Sequence, residues 1–221
     1  MGCGPGSITA DFAERIGSGS VLGLDVSTGI IDAARRDHPS VEFAVGDVYR
    51  LAFDDGSWDI VHAHQLLQHI SDPVAALKEM RRIVQPGGIV AARDSDYATF
   101  TWHPHDDRLT RWLALYQEIA RANGGEPNAG RQLLSWAQAA GFTQIRTTAS
   151  AWCFATPEER AWWGGLWAER MTNSAVAQQA LREHRATAEE LAAIADCWRV
   201  WAAAEDGWFA VIHGEVICFR D

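Results

Sequence analysis

Met1-Gly2-Cys3-Gly4-Pro5-Gly6-Ser7 opens the chain. Three glycines at alternating positions let the backbone pass close to a ligand, because no Cβ stands in the way and a positive φ is allowed. Ile8, Phe12 and Ile16 follow at i, i+4 and i+8, and the pattern stops at Gly17, which predicts a helix. A glycine loop feeding a helix N-terminus is a nucleotide- or anion-binding device, since free N–H groups point outward there. Such a loop normally follows a buried strand, and here only Met1 precedes it.

Working outward, Val21-Leu22-Gly23-Leu24-Asp25-Val26 is a short apolar run with Asp25 at its C-terminal end, and Ser27 is placed to cap a helix with Ile30, Ile31 and Ala34 on its inner face. Val41 to Val45 reads as a strand leading into Gly46-Asp47-Val48, Asp54-Asp55-Gly56-Ser57 as a turn, and Trp58 to Ala63 as a further strand. Asp72-Pro73 is a helix start, with Asp at N-cap and Pro at N1. Val74, Leu77 and Val84 carry that helix to a break at Pro86-Gly87-Gly88, after which Ile89 to Ala92 reads as a buried strand ending in Arg93-Asp94-Ser95-Asp96-Tyr97. Strands alternating with helices predict a parallel sheet covered on both faces, with ligands at the C-terminal strand ends. The residues at those ends are Gly2 to Gly6, Asp25, Asp47, His64-Gln65 and Asp94 to Tyr97.

Two cofactor readings compete. A nicotinamide fingerprint needs G-x-G-x-x-G with an acid about twenty residues on. Here the spacing is G-x-G-x-G, and Asp25 fits either reading. A second acid, Asp47 after the next strand, is placed to accept from an adenine amino group. Gly2-Cys3-Gly4-Pro5-Gly6, Leu24-Asp25-Val26-Ser27, Gly46-Asp47-Val48, Phe53 to Val61 and Val84-Gln85-Pro86-Gly87-Gly88 together resemble the class I S-adenosylmethionine-dependent methyltransferases, nearest the ubiquinone/menaquinone-biosynthesis type acting on small molecules. The likeness covers about the first half of the chain, in order. It implies a Rossmann-like, doubly wound, mostly parallel α/β sheet with an antiparallel last strand. It also implies that Gly2, Cys3 and Gly4 pass along the methionine and ribose, that Asp25 accepts from the ribose hydroxyls, that Val26 lies on the adenine, and that Asp47 with Val48 faces the adenine edge. Ser27, Gly46, His64 and Gln65 complete the expected cofactor-binding set.

One departure stands out. In the family an acid two positions before the first glycine ends a central buried strand. With Met1 first, that first central strand and its acid are expected to be missing, leaving unpaired ladder groups on two neighbours and a gap in the core. The sequence is accordingly expected to be a shortened form of a longer chain.

Beyond Tyr97, Leu109 to Ile119 predicts a helix ending at Gly124-Gly125, Leu133 to Ala140 another ending at Gly141, and Thr143 to Ala151 a strand. Thr156-Pro157-Glu158-Glu159 and Thr187 with Glu190 read as capping boxes, and Phe209 to Phe219 as the last strand. The expected organisation is one domain over 1–221. Within it lie a cofactor core at 1–100, helices and a strand at 101–150, a tryptophan-rich helical cap at 151–206 inserted into the terminal hairpin, and a last strand at 207–221. Most of the 11 tryptophans have the spacing of helix packing, and at least one is expected to line an apolar or aromatic substrate pocket.

A net charge of -10 argues against a nucleic-acid partner, no apolar run is long enough to span a bilayer, and 4 cysteines without a C-x-x-C pair point to a reducing cytoplasm. Methyl transfer from a sulfonium chiefly needs the acceptor held in line, and a base only where the acceptor keeps its proton. The candidates are His64, Asp94, Asp96 and Tyr97. His69 reads as a packed, hydrogen-bonded side chain. Asp94 and Asp96 alternate along the chain and are expected to point opposite ways, one facing the site or paired with Arg93 or another arginine. His62 and His64 share a strand face but lack a third ligand, so no metal is expected. The expected function is methyl transfer to an oxygen, nitrogen or carbon of a small molecule. The alternatives are a cofactor-binding protein without catalysis and a nicotinamide oxidoreductase.

Overall fold

A computed structural model describes residues 1–17 and 19–221. In chain order the elements are α1 (Ser7–Ile16), β1 (Leu22–Asp25), α2 (Thr28–Asp37), β2 (Glu42–Val45), β3 (Trp58–His64), α3 (Pro73–Ile83), β4 (Val84–Ser95), β5 (Thr101–His103), α4 (Asp107–Ala122), α5 (Leu133–Ala139), β6 (Gln144–Phe154), α6 (Pro157–Asn173), α7 (Ala175–Arg182), α8 (Ala188–Ala203) and β7 (Trp208–Phe219). Contacts divide the chain into two units. The first is residues 1–94, 129–148 and 214–221, and the second is 95–128 and 149–213.

The first unit carries the predicted alternation of strand and helix. Ser27 caps α2 by accepting from the Ile30 amide at 3.4 Å. Asp72 caps α3, accepting from the Ala75 amide at 2.9 Å with Pro73 at N1. The β1–β2 and β3–β4 pairs are both parallel. Leu77, Met80, Ile83, Val90, Leu133 and Val216 are among the buried side chains of the core. Arg82 pins the segment ahead of β3, donating to the carbonyls of Leu51 at 2.9 Å and Phe53 at 2.8 Å and to the carboxylates of Glu79 and Asp55.

The sheet is not continuous. β1 and β2 form one two-stranded sheet, while β3, β4, β7 and β5 follow in order in a second, with β6 also on β7. The first residues of the chain bridge β1 and β3: the Cys3 amide donates to the Leu24 carbonyl at 2.9 Å and the Met1 nitrogen to the His62 carbonyl at 2.7 Å. Beneath them lies a cavity of about 720 Å³, lined by Leu22, Leu24, Phe12, Ile60, Val61 and His62 among others. This is the expected gap. It leaves Ile60, at mid-strand, 58% exposed.

Two boundary readings are corrected. Pro86-Gly87-Gly88 does not separate helix from strand, because β4 already starts at Val84. The glycines join the ladder: Gly87 donates to the Arg220 carbonyl at 2.8 Å, and Arg220 donates to that of Gly88 at 3.0 Å. Thr187 does cap α8, accepting from the Glu190 amide at 3.2 Å. Its box is half made, because Glu190 instead accepts from Arg111 at 2.7 Å.

The second unit is helical and aromatic. α6 opens with the full box: Glu159 donates to the Thr156 hydroxyl at 3.3 Å through its amide, and its carboxylate accepts from the Thr156 amide at 3.0 Å. β5 pairs antiparallel with β7. Trp112, Trp167 and Trp198 are all but fully buried, and Trp112 meets Trp167 and Trp198 edge-on at ring separations of 4.6 and 4.8 Å. Edge-to-face contacts of this kind add to the area term of burying an indole.

Candidate functional site

The site begins with the backbone of residues 2–6. Gly2, Gly4 and Gly6 all have positive φ, at 61°, 54° and 88°. The first and last are also tight. A Cβ on Gly2 would lie 2.9 Å from Leu66 Cδ1, and one on Gly6 2.6 Å from the Phe43 ring, whereas nothing stands within 4 Å of the corresponding point on Gly4. The loop is therefore pressed onto the protein at both ends and open to a ligand in the middle. Gly6 leads into α1, whose N-terminus has no side-chain cap and no acidic residue in its first turn, so its free N–H groups are available.

Asp25 ties the loop to the next helix. Its Oδ2 accepts from the Gly4 amide and its Oδ1 from the Ser27 amide, each at 3.1 Å. Each oxygen keeps a further lone pair, and the side chain is half-buried. Its carbonyl accepts from Gly46 at 2.9 Å, which brings the turn after β2 alongside. Asp47 there is exposed and accepts from the Tyr49 amide at 2.9 Å. Val26 is 72% exposed. An apolar patch between two carboxylates suits an aromatic ring with polar edges, and the open side of Gly4 admits a chain beside it. These residues fit an adenosine-bearing cofactor. Cys3 sits in the same loop, its thiol held neutral by burial and then by Asp25, both of which raise its pKa.

At the end of β3, His62 and His64 stack on one face at 6.2 Å, as their spacing predicts. Burial chiefly lowers both: His62 to about 4, and His64 below its ordinary value with help from Arg93. Both shifts favour the neutral ring, and a neutral imidazole keeps one nitrogen lone pair. Gln65 follows with φ 51°, a left-handed conformation uncommon outside glycine, and its amide continues the ladder to the Arg93 carbonyl at 2.7 Å. His69 is exposed and meets the Gln68 amide nitrogen at 3.1 Å, which corrects the reading of it as packed.

Asp94 and Asp96 are both buried. Arg93 pairs instead with Glu215 at 3.1 Å. Asp94 accepts from the Gln68 amide at 3.0 Å through Oδ1, and burial pushes its pKa up to about 7 against the pull of the Gln68 and Leu67 amides. Asp96 and Tyr97 belong to the second unit. There Tyr97 stacks on Phe100 at 4.3 Å and on Tyr116 at 4.4 Å. Burial, then Tyr116, raises its phenol well above the ordinary value, so it stays protonated and can donate but not act as a base.

Thus Gly2, Cys3, Gly4, Asp25, Ser27 and Gly46 are joined by direct bonds or chain continuity, Val26, Asp47 and Val48 flank them, and His64 with Gln65 approaches through Leu66. Sequence reasoning missed Leu66 and Gln68. Their only signal is position, directly after a strand end already singled out. Among the described residues no three His, Cys, Asp or Glu side chains cluster as metal ligands.

Residues 1–92 match the family described as a methyltransferase domain. An uncharacterized methyltransferase of Schizosaccharomyces pombe is 34% identical over 233 residues, an alignment covering 98% of this chain and 82% of that protein. A demethylmenaquinone methyltransferase of Beutenbergia cavernae is 32% identical over 139 residues, 58% of this chain and 57% of that one. Among solved structures, phosphoethanolamine N-methyltransferase 2 of Haemonchus contortus, in complex with S-adenosyl-L-methionine, superposes with a TM-score of 0.57 at 20% identity, over 99% of this chain and 47% of that one. At that identity the likeness speaks for the fold alone.

Proposed function

The chain belongs to the class I S-adenosylmethionine-dependent methyltransferases, and from that premise we propose how its residues divide the work of methylating a small molecule. Gly2, Cys3 and Gly4 carry the methionine and ribose, Asp25 accepts from the ribose hydroxyls, Val26 supports the adenine, and Asp47 with Val48 reads its edge. Ser27, Gly46, His64 and Gln65 shape the same site. The observation that carries this reading is Asp25, whose two oxygens each hold one loop or helix amide at 3.1 Å while each keeps a lone pair able to accept a further hydrogen bond. The cofactor, when bound, supplies an activated methyl group on a sulfonium.

The chain's own part is to orient the acceptor, exclude water and, where the acceptor holds a proton, remove it. Of the four candidate groups His64 fits best, because its imidazole is neutral and half-exposed at a strand end. Asp94 and Asp96 are buried, and Tyr97 keeps its proton. Trp152 and Trp162, 37% and 59% exposed, leave aromatic surface, which supports an apolar or aromatic small molecule as the acceptor. Among the described residues no helix is long and apolar enough to cross a membrane, and the four cysteines are free, which favours the cytoplasm.

Calorimetric titration of S-adenosylmethionine and S-adenosylhomocysteine into the chain, beside Asp25→Ala, tests the reading. We expect binding that the substitution weakens by about a hundredfold. A folded chain that binds neither ligand would reject the site. Binding without turnover across a panel of small acceptors would favour a non-catalytic binder instead.

A further inference from the structure

Asp94 is a fully buried carboxyl that touches no cavity described above, and only one of its oxygens has an evident task. Oδ1 accepts from the Gln68 amide at 3.0 Å, and the Leu67 amide also bonds the group. These are the first amides of the 3-10 turn Leu67–His69, which has no side-chain cap of its own. Oδ2 is buried without a partner among the described residues. Burying a carboxyl with a half-satisfied hydrogen-bonding capacity is costly, and an apolar side chain would fill the same space without that cost.

What Asp94 holds in place is a strained connection. Gln65, at φ 51°, turns the chain out of β3, and Leu66 then lies so near Gly2 that a Cβ there would stand 2.9 Å from Leu66 Cδ1. The path runs from the end of β4, through the capped turn, to the first glycine of the loop. Left-handed backbone away from glycine persists only where its surroundings impose it. Here the impositions are the Gln65–Arg93 ladder bond at 2.7 Å on one side and the Asp94 cap on the other.

We propose that Asp94 is a positioning residue for the cofactor loop, fixing through the 65–68 turn where Leu66 presses on Gly2. This rests on the reading that residues 2–4 carry the cofactor. Its action is indirect, because Asp94 is 0% exposed and reaches no ligand itself.

S-adenosylhomocysteine titration of the wild type, Asp94→Asn, Asp94→Leu and Leu66→Ala, each also followed by thermal melting, tests it. An amide oxygen still accepts from Gln68, so Asp94→Asn should bind within about threefold of wild type, while Asp94→Leu, without a cap, should bind at least about tenfold more weakly. Leu66→Ala should weaken binding like the Leu variant with Asp94 intact. Wild-type affinity in both Asp94→Leu and Leu66→Ala, or equal losses in Asn and Leu, would overturn the proposal. Should Asp94→Leu fail to fold, Leu66→Ala decides. A wild type that does not bind would sink the cofactor reading and this proposal together, whereas binding that no variant alters sinks the proposal alone.

Discussion

The two units solve different problems with different materials. In the first, position is set by backbone: glycines at φ 61°, 54° and 88°, a carboxylate spanning two amides, and strand ends in register. In the second, it is set by ring packing, with Trp112, Trp167 and Trp198 interlocked at the centre. A backbone-built site tolerates almost no added atom, whereas a ring cluster tolerates exchange of one apolar shape for another so long as volume is kept. Damage to the first should therefore appear as lost binding, and damage to the second as lost stability.

The largest expected effect tests the aromatic side. Trp112→Ala should destabilise by about 3–5 kcal/mol in urea unfolding, yet leave S-adenosylhomocysteine affinity of the folded protein within about twofold. A large affinity loss would break the division of labour. Next comes the buried acid. The folded Asp94 pKa is raised from 3.8 to about 7, so the native state holds a proton that the unfolded chain releases. Its contribution is fully present below about 3.8, falls as pH rises, and is lost by about 7, for at most about 4 kcal/mol. Unfolding of wild type and Asp94→Asn compared from pH 4 to 8 should show the variant gaining on the wild type across that window and a constant difference above it. A gap independent of pH would show that Asp94 does not titrate there.

Smaller effects sharpen the contrast. Gly2→Ala puts a methyl group 2.9 Å from Leu66 in a left-handed position and should weaken cofactor binding about tenfold, while costing about 1–2 kcal/mol of stability. The reverse pattern, stability lost and affinity kept, would mean the loop serves the fold alone. Thr156→Ala removes one half of the α6 box and should cost about 1 kcal/mol with no change in binding.

The sequence was legible where a local rule decides structure. Asp72-Pro73 and Thr156-Pro157-Glu158-Glu159 start helices where they should, and Gly141 ends one at φ 94°. Legibility failed where a distant partner decides. Pro86-Gly87-Gly88 reads as a break, but its carbonyl and amide groups are claimed by Arg220. Glu190 reads as the second half of a capping box, but Arg111 takes its carboxylate. At the site, Asp25 could be singled out from its strand end. Leu66 and Gln68 could not, because what matters about them is contact with residues 64 and 26 positions away.

The slender join between the two sheets of the first unit has a kinetic side. β1 and β2 share no sheet ladder with β3 among the described residues, and Met1 and Cys3 bridge the two sheets with one bond each, so this layer is a natural unit of sub-global opening. Amide hydrogen exchange in residues 22–45 should be faster than in β3 and β4. Because the glycine loop is part of that join, a ligand bound there would act as a clasp, slowing exchange throughout the layer and well beyond the residues it touches.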